Sequence, residues 1–192
     1  MTRIFALFLA LVLAAPLGAA ELGDDGLHKA DWMRDTFKDL AEDLADANAE
    51  GKRLALIFEQ RGCVYCRKMH EEVFSRPELA SYIRDNFFVV QLNLHGDIEV
   101  TDFDGDVLSE KALARKWGLL FTPTILFIAE EVPSGQSATE AAVAMMPGAF
   151  SLGTTLDLFT WVNEKRYLLD NSEDFQRYHA RRITERNDGK TD

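Results

Sequence analysis

Three apolar runs divide the chain: Leu54-Ala55-Leu56-Ile57-Phe58, Phe87-Phe88-Val89-Val90-Gln91-Leu92-Asn93-Leu94 and Thr124-Ile125-Leu126-Phe127-Ile128-Ala129. Short runs rich in β-branched and aromatic residues read as buried strands, here over residues 53–59, 87–94 and 124–129. Between them the spacing becomes helical. Met33, Phe37, Leu40 and Leu44 recur at intervals of four, three and four, which predicts an amphipathic helix from Asp31 to a stop at Gly51. A helix from Cys63 to Phe74 follows the first strand. Ser75-Arg76-Pro77-Glu78 has the form of a capping box with Ser75 as N-cap, opening a helix that carries Leu79, Tyr82 and Ile83. Ser109 caps another helix through Ala112, Leu113 and Trp117, stopped by Gly118. After a turn at residues 133–136, Ala141 to Met146 predicts an edge strand ending at Pro147-Gly148. Leu156, Phe159, Trp161, Val162 and Leu168 mark a last long helix, and Phe175 and Tyr178 are spaced to dock a short one. Trp32, Trp117 and Trp161 fall on apolar helical faces and are expected in the core.

This alternation of helices and strands predicts an α/β fold, a central mixed sheet with helices on both faces and its last two strands antiparallel. Residues 21–30 are polar and contain glycine, and are expected to be a flexible lead-in. Residues 169–192 read as a helical extension and tail.

The N-terminus changes the picture of where this domain works. Arg3 precedes an apolar run from Ile4 to Ala15, then Pro16 and the small residues Gly18-Ala19-Ala20. This is the form of a secretory signal peptide over residues 1–20, with cleavage expected after Ala20. An uncleaved anchor is the rival, but the run is short of the ~20 residues that span a bilayer. A periplasmic location is therefore expected. The rest of the 192 residues, at 47% hydrophobic and 28% charged, have ordinary globular composition, enough for one domain with a sizeable core. The net charge of −11, −12 without residues 1–20, argues against nucleic acid or an anionic membrane as partner.

The chemistry sits at the end of the first strand. Cys63 and Cys66 are the only cysteines, separated by two residues where a turn at Gly62 becomes a helix. A thiol there faces unpaired N–H groups and the positive end of the helix dipole, which favour thiolate. Thiolate is the nucleophile of disulfide exchange, and a second thiol one turn on can close a ring and release the bound substrate. An exported chain that used cysteine for stability would carry more of them.

Further residues match a family. The strand-turn-Cys63-x-x-Cys66-helix unit, Phe121-Thr122-Pro123-Thr124 before a strand and Pro147-Gly148 before the last helix resemble a thioredoxin-like fold over roughly residues 31–168. More closely, Phe58-Glu59-Gln60-x-Gly62-Cys63-x-Tyr65-Cys66, Met69-His70, Gln91-Leu92-Asn93-Leu94 and Glu99-Val100-Thr101-Asp102-Phe103-Asp104-Gly105 resemble the SoxW-type periplasmic thioredoxins of bacterial sulfur-oxidation clusters, as do Ala114-Arg115-Lys116-Trp117 and Thr122-Pro123-Thr124. The resemblance implies a thiol–disulfide reductase of exported protein disulfides or thiol adducts, recharged by a membrane electron donor of the CcdA or DsbD type, with no cofactor beyond the redox-active cysteine pair. It makes Cys63 the attacking thiol, Cys66 the resolving one and Pro123 a cis-proline, with Thr122 offering its backbone to an extended substrate. Many thioredoxins carry a buried carboxylate six residues before the first cysteine, a position held here by Ile57. Glu59, on the same strand face, is the candidate proton acceptor for Cys66, against a solvated strand-end acid as the plain reading.

Tyr65 is expected to shape substrate contact. Arg67 and Lys68 are placed to support a thiolate weakly, and His70, two turns after Cys63 on a similar face, is assigned a surface or packing role ahead of tuning the thiols. The segment before the Ser109 helix is an acidic insertion. Its Asp102-Phe103-Asp104-Gly105-Asp106 suggests a calcium loop, but Gly105 precedes the third acid, so a hairpin with solvated acids is expected. Were that insertion functional, partner docking near the active site would be its use. The alternatives to a reductase are an oxidase or isomerase of the same fold, and a metal-binding module needing ligands beyond two sulfurs. A monomer is expected.

Overall fold

The computed structural model describes residues 21–169 and 173–189. The expected signal peptide, residues 1–20, lies outside the described residues. Residues 21–30, expected to be flexible, fold into a hairpin in which Glu21–Leu22 (β1) pairs antiparallel with His28–Lys29 (β2). Asp25 turns it by accepting from the Leu27 N–H at 3.0 Å, and the Leu27 side chain is buried.

The helix expected from Asp31 starts later. Met33–Arg34 (β3) is a short strand, Phe37 is 97% exposed, and Lys38 takes a left-handed φ of 60° that a helix does not continue through. The helix is Leu40–Ala49 (α1), begun where the Asp39 carboxylate accepts from the N–H groups of Ala41 and Glu42. Arg53–Glu59 (β4) follows as expected. The active-site helix is Val64–Lys68 (α2), widened into a π-helical stretch over Met69–Phe74. Ser75 does not cap the next helix: its hydroxyl donates to the Glu71 carbonyl at 2.6 Å, closing the π-helical stretch. Arg76 becomes the N-cap of Pro77–Asn86 (α3), with Pro77 in the first turn, where its missing N–H costs nothing.

Phe87–Asn93 (β5) runs directly out of that helix. The acidic insertion is a hairpin, Glu99–Thr101 (β6) with Val107–Ser109 (β7), turned at Gly105 with φ 89°. Then come Glu110–Lys116 (α4) and Thr124–Ile128 (β8). A helix absent from the sequence reading, Ala138–Ala141 (α5), is held by a reciprocal cap between Ser137 and Glu140. Ala142–Pro147 (β9) is the edge strand. Leu152–Asn163 (α6) ends before Leu168, because Lys165 is left-handed at φ 52° and Leu168 is left exposed in a separate turn. Phe175–Asn187 (α7) docks with Tyr178 buried and Phe175 against the core.

The five-stranded sheet has the order β3–β5–β4–β8–β9, parallel on the β3–β5–β4 side and antiparallel at β8 and β9. The strand period of two divides its side chains between two cores. On one face Ala55, Ile57 and Val89 pack under the active-site helix, α3, α6 and α7. On the other Leu54, Leu56, Phe58 and Val90 pack under α1, α4 and α5. Trp32, Trp117 and Trp161 are all buried. Glu59 continues the Ile57 side of β4, which brings its carboxylate beneath the active-site helix.

Candidate active site

β4 delivers the chain to the turn at Gly62, whose φ of 74° suits glycine, and Cys63 then takes the N-cap position. Its Sγ accepts from the Cys66 N–H at 2.9 Å, the bond a side-chain oxygen makes in an ordinary cap. Cys63 and Cys66 are joined in a disulfide with Cα atoms 5.2 Å apart. Cys63 is 8% exposed and Cys66 1%, so an incoming sulfur meets Cys63 first and Cys66 waits behind it.

Thr122 and Pro123 come to the same sulfur from the mouth of β8. The Thr122 hydroxyl donates to Cys63 Sγ at 3.3 Å, and the Thr122 carbonyl oxygen lies 3.6 Å from it. The Thr122–Pro123 peptide is cis. The Pro123 carbonyl accepts from the Gly148 N–H at 2.7 Å, which is where the Pro147-Gly148 pair enters the site. Around this centre Val64, Tyr65, Leu120 and Phe121 are all more than half exposed, an apolar rim for a docking chain. Leu22 and His28 of the N-terminal hairpin line a groove beside Cys63, opposite Arg61 and Arg67.

Beneath the disulfide the structure brings together residues the sequence reading kept apart. Glu59 is 1% exposed, so it is no solvated strand-end acid. His70 is buried too, and its Nε2 stands 3.0 and 3.2 Å from the two Glu59 carboxylate oxygens. The Gln91 amide donates to Glu59 Oε2 at 2.5 Å and to the His28 carbonyl at 2.8 Å, while the Lys29 ammonium donates to Gln91 Oε1 at 2.7 Å. The packing role given to His70 therefore understates it, and Gln91 and the hairpin were missed. The signal for Gln91 was an amide set between the apolar residues Val90 and Leu92 of the strand. Arg67 and Lys68 are exposed and pair with Glu71 and Glu72 at 4.0 and 3.9 Å, while Arg67 also lines the groove beside Cys63.

Of the insertion's acids Asp102 is bonded and buried rather than solvated, whereas Asp97 and Asp106 are exposed as expected. Asp102 is buried and accepts from Trp117 Nε1 and Lys116 Nζ at 2.9 Å each, and from the N–H of Ala138 at 2.9 Å. The Lys116 ammonium also reaches Asp104 and Asp106, at 2.5 and 3.0 Å, and occupies the centre of the acidic group. Burial opposes the Lys116 charge, but its bonds to Asp104, Asp102 and Asp106 outweigh this and raise its pKa above the ordinary value. Among the described residues no group of three or more His, Cys, Asp or Glu is arranged to hold a metal ion.

A helix-capping C-x-x-C disulfide facing a cis-proline loop, on a mixed sheet between two helical layers, defines a thiol–disulfide oxidoreductase of thioredoxin-like architecture. Residues 40–142 match the family model described as a thioredoxin-like domain, and the chain belongs to that family. Among solved structures it is similar to a thioredoxin-fold protein from Helicobacter pylori, with 19% identity, TM-score 0.53, and 70% of this chain and 86% of that one covered. A thioredoxin from Thermus thermophilus is similar over 65% of this chain and 83% of its own, at 22% identity and TM-score 0.49. The likeness to the Helicobacter pylori protein shows the fold. No curated protein sequence matches this chain.

Proposed function

We propose that this oxidoreductase works as a reductase in the periplasm, of the kind the SoxW-type resemblance implies. Dithiol Cys63 attacks a disulfide or thiol adduct on an exported protein laid along Thr122 as an added strand, and Cys66 resolves the mixed disulfide. The observation that favours reduction over oxidation is the set of neighbours of Cys63 Sγ. They are the Cys66 N–H and the Thr122 hydroxyl, neutral donors that support a thiolate less than a cation would, and the buried ionisable pair under the active-site helix contains a carboxylate. A nearby buried anion disfavours thiolate, and a dithiol whose thiolate is poorly stabilised gives up its electrons more readily. Within this reading Glu59 is the proton acceptor for Cys66, Tyr65 contributes to the docking rim, and electrons arrive from a membrane donor of the CcdA or DsbD type.

The test is turnover. Protein reduced with dithiothreitol should cleave the disulfides of a model protein substrate catalytically, and Cys66→Ser should trap a mixed disulfide through Cys63. No turnover by the reduced chain would overturn the reading. For the location, secreted chain beginning at Glu21 is expected in a periplasmic extract, and retention of residues 1–20 in the cell membrane would contradict it.

A further inference from the structure

We infer that Glu59 and His70 act as one unit that holds a single proton, taken from Cys66 in the release step and shared between the Glu59 carboxylate and the His70 imidazole. The inference rests on the oxidoreductase reading and on Glu59 as acceptor, and adds to them a partner, a charge state and a role for the N-terminal hairpin.

The geometry carries it. His70 follows Cys66 by four residues, one turn further along the same helix, a spacing that makes side chains neighbours. Its Nε2 bridges both oxygens of Glu59, and the Gln91 amide donates to Oε2 as well. An ionised carboxylate only accepts, so this arrangement places the proton of a neutral imidazole on Nε2. The pair then carries one negative charge in a site almost without solvent contact. One more proton converts it into an ion pair of zero net charge, which burial favours over the bare anion.

Everything packed against the pair fixes it without supplying that proton. On β5 the neighbour is the neutral amide of Gln91. On the hairpin, the His28 ring lies 5.3 Å from the His70 ring, and Lys29 reaches the pair only through Gln91 while also bonding Asp25 at 2.7 Å. On the active-site helix, Phe74 meets the other side of the His70 ring edge-on at 5.3 Å. The hairpin lies outside residues 40–142 of the family match.

The step balances as follows. In the mixed disulfide the Cys66 S–H gives its proton to the Glu59–His70 pair. The Cys66 thiolate attacks Cys63 Sγ, forming the Cys63–Cys66 bond and breaking the bond to the substrate sulfur. The substrate leaves with the electron pair as a thiolate and takes a proton from water. The protein dithiol is oxidised by two electrons and the substrate disulfide is reduced by two.

The experiment is single-turnover kinetics of release from a mixed disulfide between Cys63 and a labelled peptide, across neutral pH. His70→Gln keeps an N–H toward Glu59 but cannot carry a second proton, and Glu59→Gln removes the acceptor. Each is expected to slow release at least about tenfold. The double variant should be no slower than either single one, since the two act as a unit. The wild-type release rate should vary with pH, and that dependence should be lost in both variants. Release by His70→Gln at the wild-type rate with Glu59→Gln slow would overturn the pairing and leave Glu59 as the acceptor. Wild-type rates in both would overturn the pairing and the acceptor together. A flat wild-type pH profile, which needs no variant, would also overturn it. Failure of the wild-type chain to form or release any mixed disulfide would instead remove the oxidoreductase reading beneath it.

Discussion

The Thr122 hydroxyl donates to Cys63 Sγ at 3.3 Å across 59 residues of sequence, joining the cis-proline loop to the attacking sulfur. A hydrogen bond to a sulfur that becomes anionic favours the thiolate. Thr122→Val keeps the shape and removes the donor. It is expected to slow alkylation of Cys63 at neutral pH by roughly three- to tenfold, about 1 kcal/mol of lost stabilisation. An unchanged alkylation rate would show that the hydroxyl does not support the thiolate.

How much of this was legible depended on whether the determining contact was local. β4, β5 and β8 were readable because each is built on an apolar run, and the C-x-x-C and Thr-Pro motifs lie at the ends of β4 and β8. The start of α1 was misread because Met33 and Phe37 fit helical spacing by chance. The better signal was Asp39 ahead of Leu40, a cap that the left-handed Lys38 makes necessary. The reciprocal cap of Ser137 and Glu140 was equally visible in the sequence, and went unused. Glu59 was found by its strand face. Its bonds to His70 and Gln91 were not, because they exist only once β4, β5 and the active-site helix are stacked. In residues 21–30 the Asp25-Gly26 turn signal of the hairpin went unused, and the burial of Leu27 comes only from tertiary contact.

Asp102 ties the insertion to the body, through Trp117 and Lys116 of the following helical segment and the first N–H of α5. Asp102→Ala leaves the buried Trp117 and Ala138 donors unpaired, which costs about 3 kcal/mol. Thermal denaturation should show a fall of roughly 6–12 °C. A melting temperature equal to wild type would mean these bonds are replaced by water at no cost.

Asp43 gives stability a pH dependence. Burial pushes its carboxyl up, the Thr36 hydroxyl partly opposes this, and the charges of Asp39, Asp46 and Glu42 push it further, to about 6. The unfolded value is about 3.9, so between roughly pH 4 and pH 6 the folded chain holds a proton that the unfolded chain has released. This group's contribution therefore improves as pH falls from 7 through that window. Asp43→Asn should raise stability at pH 7 by about 1–3 kcal/mol and have little effect near pH 4. Chemical denaturation at the two pH values measures this, and an equal effect at both would refute it.

Arg186 holds α7 to the body by two 2.8 Å bonds to the buried Asp157, which also lies 2.6 Å from His179 Nδ1. Arg186→Met leaves that carboxylate with fewer donors and is expected to cost about 2 kcal/mol. Limited proteolysis should then cut before α7 faster than in wild type. Identical cleavage would mean that the apolar contacts of Phe175 and Tyr178 hold the helix unaided.

The central claim is that the Cys63–Cys66 pair delivers electrons, and its reduction potential tests that most directly. Equilibration with dithiothreitol or glutathione buffers should give a value near the thioredoxin end of the range, about −270 mV. A value toward about −120 mV would mean that the pair takes electrons instead, and the reductase assignment would give way to an oxidase.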